Sequence, residues 1–186
     1  MQKNKLMAVG MLACALAGFG IGLLDVQQEA AAALLPNPPA PVVEVQEPAE
    51  PEQTKLYTQD DVDMLARLIY TEARGVKSRT EQAAVVWVVL NRLDNPDRPQ
   101  KTIAEVVCAP YQFDYRPWAP VLPEFEELAE DVLSRWQTEK QGQVDVGRVL
   151  PAEYQYFNGR CCRNWFTAEW RSAEFWGWSL ASPYEE

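Results

Sequence analysis

The stretch Leu65-Ala-Arg-Leu-Ile-Tyr-Thr-Glu-Ala-Arg-Gly75 has the pattern of the last two-thirds of an amphipathic helix. Thr58 is suited to cap the start of this helix, and Gly75 suits the left-handed residue that often follows a helix end. A spacing of three and four residues places five apolar side chains in one stripe: Val62, Leu65, Ala66, Ile69 and Ala73. The rest of the chain is expected to pack against this stripe.

Glu72 lies at the edge of this stripe, about 80° from its centre when each residue turns the helix by about 100°. A carboxyl group there is half removed from water and lies in the last turn, where the helix dipole disfavours negative charge. Both effects raise its pKa above the ordinary value of ~4.3, and Arg74 points about 200° away around the helix. A carboxyl group protonated near neutral pH can serve as a general acid. The alternative is an edge-of-core glutamate paired with a cation.

Composition excludes several kinds of chemistry. The 186 residues carry a formal charge of −10, which disfavours nucleic acid as a partner. The chain has no histidine, which excludes Ser-His and Cys-His catalysis and the usual catalytic zinc ligands. Cys108 can form one bridge to the Cys161-Cys162 pair or remain a free thiol. We expect no metal and no organic cofactor.

The N-terminal part predicts export. Residues 1–24 contain two lysines followed by 19 uncharged residues, which span about 28 Å as a helix and suit a membrane anchor or signal segment. Residues 25–55 are rich in proline and glutamate, which predicts a disordered linker. Residues 56–186 are then a folded domain on the outer side of the membrane.

Helical patterns dominate this domain. Ser78 with Glu81, and Thr102 with Glu105, have the spacing of capping boxes. The segment Ala83-Ala-Val-Val-Trp-Val-Val-Leu90 is apolar on all sides, as in a helix at the centre of a small fold. A further amphipathic helix, ending near Gly142, is indicated by Phe125, Leu128, Ala129, Val132, Leu133 and Trp136.

A small β element follows the helices. Asn158-Gly159 is the strongest hairpin signal in the chain, and the aromatic segment 175–180 is expected to add a strand. The sequence therefore predicts a mainly α domain with a small β-hairpin or sheet, of the α+β class.

Four segments in order resemble the motifs of the SleB-type cell wall hydrolases, a family that includes the spore cortex-lytic enzymes. They are Tyr70-Thr-Glu-Ala-Arg-Gly75, Leu90-Asn-Arg92, Thr102-Ile-Ala-Glu-Val-Val107 and Pro110-Tyr-Gln-Phe113. A looser similarity runs through Leu150-Pro-Ala-Glu-Tyr-Gln-Tyr-Phe-Asn158. The resemblance implies a lysozyme-like, lytic transglycosylase-like fold, peptidoglycan glycan strands as substrate, and Glu72 as the catalytic acid. Val76 departs from the pattern, since many members carry a second glutamate there.

The resemblance also gives expectations for substrate binding. Gln112 and Phe113, in a proline-rich loop, would hold a sugar by hydrogen bonds and stacking, although Phe113 suits a core anchor equally well. Tyr156 and Asn158 match an element that approaches the acid, so Tyr156 is expected to hydrogen-bond Glu72, while a turn role explains Asn158 as well. Some of the later tryptophans would line a glycan groove, and at least half would be core: Trp165, Trp170, Trp176 and Trp178.

The leading hypothesis is a lytic transglycosylase that cleaves between N-acetylmuramic acid and N-acetylglucosamine and leaves 1,6-anhydromuramic ends. Glu72 alone would suffice, because the muramic acid C6 hydroxyl attacks C1 internally. Ordinary hydrolysis needs a second carboxylate. Glu81 and Glu105 are expected in capping roles, and Asp114 in a loop role. The alternatives are a hydrolytic muramidase or glucosaminidase, a non-catalytic wall-binding module, and a membrane-tethered structural partner.

Overall fold

A computed structural model describes residues 54–160 and 162–185. All the described residues belong to one compact unit of the chain. The predicted membrane segment 1–24 and nearly all of the predicted linker 25–55 lie outside them. In the described part, no helix is both long and apolar enough to cross a membrane.

The described residues form four helices and two strands. In chain order these are α1 (Gln59–Ala73), α2 (Arg79–Asp94), α3 (Ile103–Val107), α4 (Pro123–Lys140), β1 (Tyr156–Arg160) and β2 (Arg163–Thr167). The two strands pair antiparallel in a single small sheet. The predicted fold class, mainly α with a small β-hairpin and consistent with a lysozyme-like α+β domain, is confirmed.

Helix α1 starts and buries its stripe as predicted, but it ends differently. Thr58 caps the helix in a capping box with Asp61, and the predicted stripe is buried. The helix ends at Arg74, which keeps a right-handed helical conformation, and Gly75 has no positive φ. The prediction that Gly75 is a left-handed cap is therefore wrong. Gly75 instead faces the hairpin, since a Cβ atom there would lie 3.7 Å from Cys162 Sγ.

Helix α2 forms the centre of the domain. All eight side chains of the segment 83–90 are fully buried, which confirms the prediction of a helix enclosed on every side. It packs against α1, α3, α4 and β1. Helix α4 lies along α1 and buries its predicted stripe, so the two helices enclose α2 from one side of the core.

The hairpin turn does not lie at Asn158-Gly159. Both residues are within β1, opposite Trp165 and Asn164 of β2, and the chain reverses between Arg160 and Arg163. The prediction is wrong because register follows burial rather than local turn preference. The observed register places Phe157 opposite Phe166, with ring centroids 5.6 Å apart, and Phe166 is buried in the core.

The predicted last strand is also absent from the described residues 175–180. Trp176 donates one backbone hydrogen bond to the Phe166 carbonyl, at 2.8 Å, beside β2. The chain then leaves the sheet, because Trp178 has a φ of 56°. An extended ladder cannot continue through a residue in the left-handed region.

Candidate active site

Glu72 lies in the last turn of α1, where the loop after α3 folds over the helix end. Its side chain is half-buried, and its Oε1 atom accepts a hydrogen bond from the backbone N–H of Asp114 at 2.5 Å. The two residues are 42 positions apart, so tertiary packing rather than local sequence creates this contact. The contact fixes one carboxyl oxygen and leaves the other available to a ligand.

The surroundings of Glu72 raise its pKa. Burial is the largest cause, and the negative charge of Asp114 acts in the same direction. The hydrogen bond from the Asp114 backbone and the charge of Arg92 lower the pKa and oppose these effects. The predicted direction and its main cause, burial, are confirmed.

Glu72 has no ion pair among the described residues. Arg74, the nearest basic residue in sequence, donates to the carbonyl oxygens of Tyr70 and Thr71, at 3.0 and 3.3 Å. Its guanidinium group therefore satisfies the end of α1 and stacks on the Tyr70 ring. The alternative of a glutamate clamped by a cation does not describe this site.

Arg92, in the last turn of α2, organises the polar side of the site. It is buried, donates from Nε to the Gln155 carbonyl at 2.7 Å, and donates from a terminal nitrogen to Gln112 Oε1 at 3.1 Å. Its guanidinium lies 4.7 Å from the centre of the Phe113 ring and 5.5 Å from that of Tyr156. Burial lowers its pKa to about 10, so it stays charged at neutral pH.

Two of the predicted binding residues line a pocket of about 430 Å³ on this side. Gln112 is exposed and lines it, together with Tyr156. The remaining lining is aromatic or basic: Arg92, Arg98, Tyr111, Phe157 and Trp170. A cavity with an amide, two guanidinium groups and four rings can bind a sugar by hydrogen bonds and by stacking.

The other two predicted binding residues stand apart from this pocket. Phe113 is half-buried, packs against Phe157 at 6.1 Å between ring centroids, and contacts the core, so it anchors the loop. Asn158 is exposed in β1 and does not line either of the pockets beside the site in the described region. The expected turn role of Asn158 is wrong as well, because the residue is paired within the strand.

Tyr156 does not contact Glu72 as expected. Its hydroxyl oxygen accepts a hydrogen bond from Arg98 at 3.1 Å, and the one side-chain hydrogen bond of Glu72 in the described region comes from Asp114. Tyr156 also faces Trp170, at 5.8 Å between ring centroids. These contacts hold the ring in the wall of the pocket, which leaves the acid without a tyrosine partner.

A second pocket, of about 370 Å³, lies between the end of α1 and the tip of the hairpin. Glu72 lines it together with Thr71, Arg74, Gly75, Val76, Gly159, Arg160, Cys162, Arg163 and Asn164. Cys162 is exposed and free, as is Cys108, so these two cysteines are not bridged to each other. Within the described ranges, no three His, Cys, Asp or Glu side chains are grouped to hold a metal.

The other carboxylates near the site are engaged elsewhere. Ser78 caps α2 as predicted, but Glu81 does not complete a capping box. Its Oε2 accepts from the Asn164 backbone at 3.0 Å, and its Oε1 lies 3.7 Å from Arg163 Nε. Glu105 accepts from the Lys101 backbone at 2.6 Å, beside the Thr102 cap.

Asp114 presents only its backbone to Glu72. Its carboxylate is exposed and accepts from Arg116 at 2.9 and 3.2 Å. A third cavity, of about 750 Å³, lies between the segment 142–148 and Leu180 and contains none of the candidate residues. The candidate chemistry therefore centres on the half-buried acid and not on this larger cavity.

The tryptophans divide as expected between core and surface. Trp176 and Trp178 pack against the core, and Trp176 donates to the Val149 carbonyl at 3.1 Å. Trp165 is half-buried, and Trp170 is exposed in the wall of the larger site pocket. Trp170 is thus the one of the four that both faces solvent and lines the site.

Sequence reasoning assigned no role to Arg92, Arg98 or Tyr111. Arg92 carried a signal, because a charged residue directly follows eight buried apolar positions and must find partners. Tyr111 has a φ of 61° and a fully exposed ring, which no local pattern indicates. Arg98 reaches the site through contacts 57 and 58 residues away.

Fold and site together define a class: a lysozyme-like α+β domain with one half-buried acid of raised pKa, which lines a pocket at the end of α1. The family model for cell wall hydrolases matches residues 77–174, which is more than half of the chain. The chain belongs to the cell wall hydrolase family, and peptidoglycan is its substrate class. No curated protein and no solved structure matches the chain. Glu72 precedes the matched residues, so its role rests on the geometry of the site.

Proposed function

We propose that this protein cleaves the peptidoglycan glycan strand between N-acetylmuramic acid and N-acetylglucosamine as a lytic transglycosylase. The observation that carries the proposal is the state of Glu72. It is half-buried, its pKa is raised by burial, and in the described region no cation pairs with it. Such a carboxyl group can remain protonated in the resting enzyme and act as the general acid that protonates the leaving glycosidic oxygen.

The reaction needs only this one carboxyl group. Glu72 donates its proton to the glycosidic oxygen, the bond from that oxygen to muramic acid C1 breaks, and N-acetylglucosamine leaves as an alcohol. The Glu72 carboxylate then accepts the proton of the muramic acid C6 hydroxyl, whose oxygen bonds to C1. The product has a 1,6-anhydromuramic end, and Glu72 is protonated again.

The pocket lined by Gln112, Tyr156 and Trp170 supplies sugar binding in this scheme. Its exposed indole and phenol rings offer faces for stacking, and the Gln112 amide is oriented by Arg92. Phe113 packs against Phe157 and so anchors the loop whose Asp114 backbone N–H donates to Glu72. Asn158, at the exposed edge of β1, would contact a strand that extends past the hairpin.

A hydrolytic reaction is the second candidate, and Asp114 favours it. Its negative charge acts on Glu72, so it is the nearest candidate for a second carboxylate. Its pairing with the exposed Arg116 is the kind of contact that contributes little and is easily given up.

A wall-binding module without turnover is a third candidate. The observation that favours it is Val76, which stands where many family members carry a second glutamate and is 6% exposed in the core. This position therefore supplies no second acid to the pocket that Glu72 lines.

We also propose that the enzyme works outside the cytoplasm, tethered or secreted. The support is the order of segments in the sequence: lysines, an uncharged run, a proline-rich linker and then the wall-directed domain. This order would deliver the domain to its substrate. Labelling of intact cells with an impermeant reagent, followed by fractionation, tests the location.

Product analysis tests the reaction. The full-length protein is incubated with purified sacculi, and the soluble fragments are analysed by mass spectrometry. We expect fragments with 1,6-anhydromuramic ends. Fragments with reducing ends would establish hydrolysis instead, and binding to sacculi without release of fragments would establish a binding module.

A further inference from the structure

The pocket between α1 and the hairpin tip is basic although the domain is acidic. Residues 56–186 carry 14 basic and 21 acidic residues, a formal charge of 14 − 21 = −7. Three guanidinium groups nevertheless line this one pocket, from Arg74, Arg160 and Arg163, and Glu72 is its single acidic lining residue. A cluster of positive charge in a negative domain indicates selection of an anionic ligand rather than general attraction.

Two of these guanidinium groups are available to a ligand. Arg160 is exposed and has no ion-pair partner among the described residues. The Arg163 side chain lines the pocket and is 64% exposed, and its closest approach to Glu81 is the 3.7 Å between Nε and Oε1, which is too long for a hydrogen bond. Arg74 is held at the end of α1 by two carbonyl oxygens and adds positive charge at the floor.

Asn164 provides a second, independent sign of a ligand. It lines the same pocket, is 4% exposed, and its Nδ2 atom has no hydrogen-bond partner. A buried amide donor without an acceptor is destabilising, so its presence here indicates an acceptor that arrives with a ligand. The Asn164 backbone is fixed by the buried Glu81 carboxylate, which holds this donor and Arg163 in place.

We propose that this pocket is a subsite for the carboxylate carried by the substituent of the muramic acid residue whose bond is cleaved. The proposal rests on the proposed function, which places C1 of muramic acid at Glu72. The substituent at C3 of the same ring then lies within reach of the adjoining pocket. Muramic acid is the one sugar of the strand with an anionic substituent, a lactyl group that is either free or extended by a peptide.

The charges of the pocket do not compromise the acid. Arg92, which does not line this pocket, is the one guanidinium in the described region that lowers the pKa of Glu72. The pocket guanidinium groups are therefore positioned for an anion of the substrate rather than for the Glu72 carboxylate. The basic residues proposed to bind the substrate anion are therefore different from Arg92, which influences the pKa of the catalytic acid.

The test compares three matched sets of glycan strands with the full-length protein. The first set carries peptides, the second has been stripped by an amidase and bears free lactyl carboxylates, and the third is the stripped set with its carboxylates converted to neutral methylamides. We expect the wild type to show a kcat/KM at least about tenfold higher on a carboxylate-bearing set than on the neutral set. Preference for the first set assigns the peptide carboxylates, and preference for the second assigns the lactyl group.

Arg160→Gln and Arg163→Gln are each expected to reduce about tenfold the ratio of kcat/KM on the preferred set to kcat/KM on the neutral set, because only the preferred set carries the anion that these residues bind. Lys77→Gln is the matched control, because Lys77 is exposed and lines neither site pocket. Equal cleavage of charged and neutral strands by the wild type, or full preference retained in both arginine variants, would overturn the subsite.

Binding separates failure of the subsite from failure of the proposed function. If the wild type cleaves none of the strands, the proposed function is wrong, and calorimetric titration with the same three sets decides the subsite. Tighter binding of a carboxylate-bearing set, lost in Arg160→Gln, would support it. Equal affinity for all sets would overturn it.

Discussion

Glu72 acquires its chemistry from four effects that act on a single side chain. Burial and the Asp114 charge favour the protonated form, whereas the Asp114 backbone N–H and Arg92 favour the ionised form. The opposing contacts leave the pKa raised but keep the ionised form accessible. An acid that must later act as a base needs both forms within one reaction cycle.

Asp114→Asn separates the roles that Asp114 could have. The substitution removes the negative charge that raises the pKa of Glu72 and keeps the backbone N–H. We expect activity to persist, with the alkaline limb of the pH–rate profile moved to lower pH. The limb of the wild type should lie above pH 4.5, the ordinary value for a glutamate, because burial raises the pKa of Glu72. A loss of more than about 100-fold in kcat would instead make Asp114 a second catalytic carboxylate.

The raised pKa of Glu72 also predicts a dependence of stability on pH. A group with a raised folded-state pKa contributes its full stability below the unfolded pKa of ~4.3, and this contribution is lost as the pH rises through the folded pKa. Glu72→Gln does not titrate, and its amide oxygen can still accept from the Asp114 N–H. We expect the variant to melt at a higher temperature than the wild type at pH 7, with the gap closing near pH 4. A variant less stable than the wild type at pH 7 would contradict the burial of this charge.

At the scale of elements, the hairpin depends on a carboxylate from a helix. Glu81, in the first turn of α2, is 7% exposed and accepts from the Asn164 backbone in β2. This bond joins two elements that are 83 residues apart and fixes the wall of the basic pocket. The hairpin tip is therefore positioned by the helix and not by its own turn.

Glu81→Ala should destabilise the domain by about 1–3 kcal/mol, because it leaves the Asn164 N–H unpaired in a buried position. Glu81→Gln retains an acceptor and should recover most of this loss. Thermal unfolding measures the difference, and hydrogen exchange at Asn164 should accelerate in the alanine variant alone. Unchanged exchange at that amide would show that the hairpin has another anchor.

Local signals were sufficient for the helices and insufficient for the site around them. Caps at Thr58, Ser78 and Thr102 and the apolar stripes predicted α1 to α4, because these interactions lie within a few residues of each other. Glu72 was found from its angle to a stripe. The contact from Asp114 and the Glu81 anchor could not be predicted, since each spans tens of residues. The prediction of a turn at Asn158-Gly159 is wrong because the packing of Phe166 in the core fixes the register of the two strands.

At the scale of the whole domain, the end of α2 fixes the course of the chain before the hairpin. Asn91 is 2% exposed and donates to the carbonyl oxygens of Pro151 and Tyr154, each at 2.8 Å, while its own oxygen accepts from Arg148 at 2.6 Å. Arg92 adds a bond to the Gln155 carbonyl. Two consecutive residues of one helix thus place the segment that leads to Tyr156.

Asn91→Ala should lower the free energy of unfolding by about 2–4 kcal/mol, because two part-buried carbonyl groups lose their donor and Arg148 loses an acceptor. Urea unfolding of the full-length protein measures this change. Asn158→Ala is the matched control, since Asn158 is exposed and its side chain has no hydrogen bond in the described region. Equal stability of the two variants would mean that the segment before the hairpin is held by packing alone.

The most direct measurement is the rate at which Glu72→Gln releases fragments from purified peptidoglycan, followed by mass spectrometry of the fragment ends. Glu127→Gln serves as the matched control, because Glu127 is exposed on α4 and lies in none of the pockets of the described region. We predict that the rate falls by at least about 100-fold in Glu72→Gln, that 1,6-anhydromuramic ends disappear with it, and that the control behaves as the wild type. Release by Glu72→Gln within a few-fold of the wild-type rate would contradict the assignment of the catalytic proton to Glu72.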